Sequence, residues 1–164
     1  TAKDQHQPCY ILRRGSIAAR LGVPCAGEYP ADQLVCHFQG AVRTSGAVTS
    51  SMSWRLPEGI GPLLTAAQFQ LGAYELDLKV VGVREGGADY SVYRRLVRFQ
   101  VVSTGIDSAN AVTQTLGTDT ETDAATALSV VIAAASIDVQ VTGVAAKDYR
   151  WSASVDVTMC LGTA

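Results

Sequence analysis

The sequence lacks any run of about 18 apolar residues, so no segment is typical of a membrane-spanning helix. The first residues, Thr1 to Asp4, have no apolar signal-peptide core, and we expect synthesis in a cytosol. A strong charge of either sign is also missing, because the formal net charge is −2. Neither half of the chain is charged enough to favour a nucleic-acid or membrane-surface partner.

Histidine is scarce, with only His6 and His37 in the chain. His6 falls in an irregular N-terminal region, so a Ser-His-Asp triad would have to use His37. The sequence has neither a Gly-x-Ser-x-Gly elbow nor the Gly-x-x-x-x-Gly-Lys loop that cradles phosphates. We therefore expect no catalytic residue, no cofactor and no enzymatic activity.

The chain has four cysteines, Cys9, Cys25, Cys36 and Cys160. They lack the Cys-x-x-Cys spacing of a structural zinc site. A reducing compartment keeps cysteines as thiols, and we expect them to be largely buried.

The segment Thr118–Asp123 alternates threonine with acids, but it lacks the glycine and terminal glutamate of a calcium loop. It is interpreted as a solvated loop, and no metal site is predicted.

The stretch Ala73–Ser103 predicts a β-hairpin around which the chain is organised. Its first half alternates apolar and charged residues, the pattern of a half-buried strand. Glu85-Gly86-Gly87 supplies residues that tolerate positive φ, so the chain can turn back. Arg95 interrupts the apolar side of the second half and predicts a bulge or an edge. The apolar side of the first half contains Tyr74, Leu76, Leu78 and Val80.

Other strands follow from the same period-two signal. Residues 149–159 alternate along their whole length, and residues 137–142 alternate up to Gly143. Residues 125–136 are rich in alanine, but the β-branched run at 130–132 favours a strand over a helix. Residues 57–62 contain two prolines and two glycines and are predicted to be a loop. The chain is therefore predicted to be all-β, an antiparallel sandwich of the jelly-roll or immunoglobulin-like kind.

The first forty residues differ from the rest. Their prolines and glycines come too often for a long regular element, although residues 33–38 could form a short strand. They carry too many apolar residues for a disordered tail. We expect an N-terminal arm, residues 1–40, that lies on a neighbour, followed by a sandwich domain, residues 41–164. The candidate assembly residues of the arm are Ile11, Leu12, Leu21, Val23 and Val35.

Three segments together resemble a β-sandwich domain of tailed-bacteriophage virion proteins, of the tail and fibre type or the capsid decoration type. They are residues 74–84 (YELDLKVVGVR), residues 93–98 (YRRLVR) and residues 137–155, with IDVQVTG followed by YRWSASV. The resemblance spans about residues 70–160. It implies a structural, non-enzymatic virion protein, commonly a homotrimer, that is made in the host bacterial cytoplasm and bound to other phage virion proteins. Attachment to the tail, as a fibre or adaptor component, and attachment to the head, as a decoration protein, are both open.

A carbohydrate-binding β-sandwich module is the alternative. Such a module needs exposed aromatic side chains that cluster on its surface. Trp54, Tyr90 and Tyr93 are the candidates, although core packing is the expected role of Trp54 and Tyr93.

Overall fold

The fold is seen in a computed structural model that describes residues 33–56, 59–62 and 71–161, with side chains for residues 37–55 and 71–160. No helix in these ranges is long and apolar enough to cross a membrane. Twelve strands make up the regular structure of this part of the chain. They are β1 (Gln33–Ser45), β2 (Thr49–Ser51), β3 (Ser53–Leu56), β4 (Gly59–Pro62), β5 (Gly72–Arg84), β6 (Tyr90–Val102), β7 (Gly105–Ile106), β8 (Val112–Thr115), β9 (Thr120–Glu121), β10 (Ala127–Ile132), β11 (Ile137–Thr142) and β12 (Asp148–Leu161).

These strands form two antiparallel sheets. The larger has the order β4-β3-β1-β12-β5-β6-β7, and β8 and β9 also pair with β6. The smaller has the order β10-β11-β2. Inward side chains from both sheets belong to one hydrophobic cluster, so the two layers enclose a common core. The predicted all-β class with antiparallel sheets is confirmed.

The predicted central hairpin is confirmed as β5 and β6, which pair along nearly their whole length. Gly86 has φ of +69° in the turn, a conformation that glycine adopts without steric cost. The bulge or edge predicted at Arg95 is wrong, because the register from β5 to β6 is unbroken and Arg95 also pairs with Thr115 of β8 on its other side. Arg95 stays in the strand since Asp119 accepts hydrogen bonds of 2.6 and 2.7 Å from its two Nη atoms.

Two tryptophans of the core pack against glycines on neighbouring strands. Trp151 of β12 is the register partner of Gly82 on β5, and Trp54 of β3 is the partner of Gly40 on β1. A Cβ atom at Gly82 would lie 2.3 Å from Trp151 Cζ3, and one at Gly40 would lie 2.8 Å from Trp54 Cε3. Both indoles are buried. The missing side chains of the glycines therefore make the room that the two indoles fill.

Strand β1 lies across the predicted boundary at residue 40. It pairs with β12 from Gln33 onward, so residues 33–40 belong to the larger sheet. Val35 lies in β1 opposite Thr158. The other candidate residues of the arm are outside the described residues: Ile11, Leu12, Leu21 and Val23.

Two further predictions have opposite outcomes. The strand predicted within residues 125–136 is confirmed as β10. The loop predicted at residues 57–62 is wrong for its second half, because Gly59–Pro62 pairs with β3 as strand β4. Strand β4 lies at the edge of the larger sheet, where a proline is tolerated because one side of the strand needs no backbone donor.

Candidate interaction surface

The outer side of the larger sheet carries four exposed apolar residues on the central hairpin. Val81 and Val83 of β5 are 47% and 48% exposed, and Tyr90 and Val92 of β6 are 44% and 38% exposed. Outward positions of an antiparallel sheet that has one solvated face are normally polar. These four residues, called the valine patch below, depart from that rule.

The strand register makes the valine patch continuous. Val81 lies opposite Val92, and Val83 lies opposite Tyr90. Cβ atoms of directly opposite residues are about 4.5–5.5 Å apart in such a pair, so the four side chains are neighbours. A group of adjacent exposed apolar residues is a better candidate for contact with another molecule than scattered single residues are.

A groove of about 690 Å³ lies beside the valine patch and shares Val81 with it. Ser152 is the register partner of both Ala41 and Val81, so the groove continues the row of the patch across β12 and β1. The small side chains leave the space that forms the groove. Lys79 and Arg55 also line it, and neither makes an ion pair with any residue that the structure describes. The four small outward-facing lining residues are Ala41, Ser53, Ser152 and Ser154.

Other charges around the valine patch are neutralised by ion pairs. Glu85 accepts hydrogen bonds from Arg150 Nε and, at 2.9 Å, from Arg43 Nη2. These bonds, with Arg150 the larger cause, hold the pKa of Glu85 below its ordinary value. Arg94 forms a bidentate pair with Asp77, with distances of 2.8 and 3.2 Å, and likewise lowers the pKa of that carboxyl. Among the described residues beside the patch, the two cations of the groove are therefore the charges that make no ion pair, although Lys79 acts on Asp77 from a distance.

Most of the acidic segment Thr118–Asp123 is exposed, as predicted for a solvated segment, but Thr120–Glu121 also pairs with β6 as strand β9. Ion pairs attach its two partly buried acids to the sheets. Lys147 Nζ lies 2.5 Å from Asp123 Oδ2 and 3.1 Å from Asp89 Oδ2. The hydrogen bond from Lys147 is the largest cause that lowers the pKa of each of these carboxyls. In the part of the chain with described side chains, no group of three or more His, Cys, Asp or Glu could hold a metal ion.

Tyr93 fixes the same segment from the core side. Its hydroxyl donates to Glu121 Oε1 at 2.7 Å and lies 2.9 Å from Thr126 Oγ1. Burial is the main cause that raises the pKa of Tyr93 to about 12, so the phenol keeps its proton at neutral pH. The side chains of the acidic segment therefore hold residues 119–126 against β6 through internal bonds.

His37, the residue that a triad would have required, lies on the outer side of β1. Its Nδ1 is 2.7 Å from Asp156 Oδ1, and both side chains are substantially exposed. An exposed pair of this kind contributes little to stability. The contact places His37 in a cross-strand pair, since Asp156 is its register partner on β12.

The aromatic and cysteine predictions are resolved in part. Trp54 and Tyr93 are buried in the core as expected, and only Tyr90 of the three carbohydrate-site candidates is exposed. Cys160 is exposed on β12, so the expected burial of the thiols is wrong for this residue. Cys9 and Cys25 fall outside the described residues, as does the side chain of Cys36.

The alternation of apolar and charged residues in β5 ends at Val80 and therefore does not predict the valine patch. From there the sequence is Val80-Val81-Gly82-Val83, with apolar residues on both sides of the strand. On β6, Tyr90 and Val92 likewise take the outward positions. The loss of polar residues at outward positions was the available signal.

No protein-family model matches the chain. No curated protein is significantly similar to it either. Among solved structures, the chain is similar to the Acinetobacter baumannii phage AM24 tailspike protein, with 10% identity and a TM-score of 0.47 over 79% of this chain and 27% of that one. It is also similar to the Acinetobacter phage vB_ApiP_P1 tailspike protein, with 16% identity and a TM-score of 0.34 over 82% of this chain and 23% of that one. The chain thus spans about a quarter of the length of each.

Proposed function

We propose that the protein is a non-enzymatic structural component of a tailed-bacteriophage virion, present in many copies as homotrimers. It is attached to the tail, as a fibre or adaptor component, or to the head, as a decoration protein. The observation that carries this proposal is the exposed valine patch on the outer side of the larger sheet. The resemblance of residues 70–160 to virion sandwich domains supports the proposal that the protein is part of a virion.

The physical reason is the hydrophobic effect. Covering apolar surface contributes about 2.5 kcal/mol for every 100 Å² removed from water, before the cost of association. A particle presents many identical sites, so modest contacts add up when several are engaged together. A surface that combines adjacent valines, a tyrosine and a groove lined by Lys79 and Arg55 suits a protein neighbour that has apolar and acidic groups.

In this proposal residues 1–32 form the attachment arm, and the candidates Ile11, Leu12, Leu21 and Val23 supply its apolar contacts. The test adds the full-length chain, or a chain that begins at Gln33, to particles lacking this component. Beginning at Gln33 keeps all of β1 and its pairing with β12. We expect the shortened chain to fold but to occupy few sites, and equal occupancy would show that the arm is not the attachment device.

The valine patch is tested in the same binding assay with the double variant Val81→Lys/Val92→Lys. Both positions are exposed and opposite each other, so the change removes apolar surface without opening the core. Val112→Lys is the matched control, because Val112 is 53% exposed on β8, away from the patch. We expect the double variant to bind at least tenfold more weakly than the parent. The control is expected to bind as tightly as the parent. If both variants bind like the parent, the patch makes no contact with the particle.

The trimer is tested separately by the mass of the purified native assembly. A mass of three chains supports it, and a mass of one or two chains contradicts it. This measurement needs no particle, so its result does not depend on where in the virion the protein is attached.

A further inference from the structure

Strand β10 (Ala127–Ile132) is the longest edge strand among the described strands. Its pairing partner is β11, which lies between β10 and β2 in the smaller sheet. The other edge strands have two to four residues each, whereas β10 has six. An edge strand presents a row of unpaired backbone N–H and C=O groups that another strand can bind.

Strand β10 lacks three of the usual protections of an edge, namely a charge, a proline and a bulge, and no described strand pairs with its free side. No charged residue and no proline occurs between Asp123 and Asp138. The pairing of β10 with β11 is continuous from Ala127 to Ile132, so no bulge twists the edge away. Val131 is 46% exposed on the outer side of the strand. Because natural sheets normally protect a long edge in one of these ways, an edge without any of them is suited to pairing.

The inward side of β10 is also incompletely covered. Leu128, Val130 and Ile132 pack on the core but are only partly buried, unlike the fully buried inward residues of β11. A further strand hydrogen-bonded to β10 would cover their remaining surface and extend the same apolar layer.

We infer that β10 pairs antiparallel with β10 of a second copy of this chain, which joins two small sheets into one sheet of six strands. The charge pattern selects this occupant. Around a two-fold axis only the residue on the axis faces its own copy, and the other residues face those equally far on the other side of the axis. A charge near the axis would therefore lie close to its identical copy. The whole of β10 is uncharged, so pairing with itself brings no such repulsion.

The contact differs from the patch and the arm in position and in chemistry. Six paired residues cover much less than the roughly 800 Å² per partner of a standard stable interface. We therefore expect weak pairing of the free protein, seen at high concentration, and full pairing where many copies are held close together. A two-fold contact connects copies in pairs, so it is distinct from a three-fold association within a trimer.

The test uses the purified full-length protein without particles, so it is independent of the proposed role in the virion. Val131→Lys and Val131→Glu each place a charge at an exposed position of β10. Sedimentation across a wide concentration range measures pairing, and Val112→Lys is the control on another exposed strand. We expect each Val131 variant alone to pair at least tenfold more weakly than the parent. An equimolar mixture of the two is expected to pair again, because opposite charges then meet across the axis.

Restored pairing in the mixture also shows that both variants are folded. Ser129→Lys with Ser129→Glu gives a second pair of variants on the same exposed side of β10. The inference is overturned if the parent shows no two-fold self-association at the highest concentration reached. It is equally overturned if the Val131 and Ser129 variants associate like the parent, since the contact then lies elsewhere.

Discussion

The packing of Trp151 on Gly82 leads to a quantitative prediction about two strands far apart in sequence. The Trp151 indole is buried, stacks on Tyr149 with ring centroids 5.6 Å apart, and donates from Nε1 to Thr44 Oγ1 at 3.0 Å. On its other side, a Cβ atom at Gly82 would lie 2.3 Å from the ring. Space for a methyl group at Gly82 therefore exists only if the indole is removed or moved.

The magnitudes follow from the two changes taken separately. Trp151→Ala removes a buried indole and leaves a cavity, which costs about 3–5 kcal/mol of the free energy of unfolding. Gly82→Ala forces a methyl group into a filled position, which costs about 1–3 kcal/mol. In the Trp151→Ala background that methyl group enters the cavity, so its cost falls towards zero. The double variant should then be more stable than the sum of the single effects by at least about 1 kcal/mol.

The assay is equilibrium unfolding in guanidinium chloride of the parent, both single variants and the double variant. Gly86→Ala is the matched control, because Gly86 has φ of +69° and open space where a Cβ would be. Its cost of about 1–2 kcal/mol comes from the left-handed backbone and should be the same with or without Trp151. Thermal midpoints supply a check, at roughly 2–4 °C for each kcal/mol in a chain of this size.

Additivity would refute the reasoning. If the effects of Gly82→Ala and Trp151→Ala sum to within about 0.5 kcal/mol, the two residues do not share space. The register between β5 and β12 would then be wrong. A Trp151→Ala variant that melts within a degree or two of the parent would further show that the indole is exposed.

Three further predictions follow from the polar contacts. Lys147→Met should lower the free energy of unfolding at pH 7 and make it depend less on pH in acid. Lys147 lowers the folded pKa values of Asp89 and Asp123. The stabilisation from these carboxylates is therefore present above about pH 4 and is lost as pH falls through the folded pKa values. Urea midpoints at pH 7 and pH 3 measure this, and an unchanged acid dependence would contradict it. Tyr93→Phe should cost about 1–3 kcal/mol because it removes the hydroxyl that donates to Glu121, and ultraviolet titration should lose the phenol that ionises at about pH 12. A variant as stable as the parent would show that this bond is dispensable. His37→Ala should change stability by less than about 1 kcal/mol, since its pair with Asp156 is exposed; any turnover that disappears with it would contradict the non-enzymatic proposal.

The sequence by itself determined the central hairpin, β5 and β6, and the later strands β10, β11 and β12. The alternation in β5 and β12 and the glycines of the Glu85-Gly86-Gly87 turn are local signals, because the side-chain period of a strand and the φ of a turn depend on adjacent residues. The same period separates the two sides of β12, and every second residue from Tyr149 to Met159 is buried. Strand β4 was missed because its proline and glycines lower strand propensity, whereas pairing with β3 at an edge overrides that preference.

The tertiary structure decided what each strand faces. Period two separates two sides of β5, but it does not say that one side is left uncovered and carries Val81 and Val83. The partner of Arg95 is Asp119, 24 residues away, and the space for Trp151 comes from Gly82, on a different strand. Such contacts join residues distant in sequence, so no local pattern contains them. Neutralising a charge and filling a gap are properties of the assembled sheets. The apolar run Val80-Val81-Gly82-Val83 was a local signal, but only the fold showed that its outward valines lie beside those of β6.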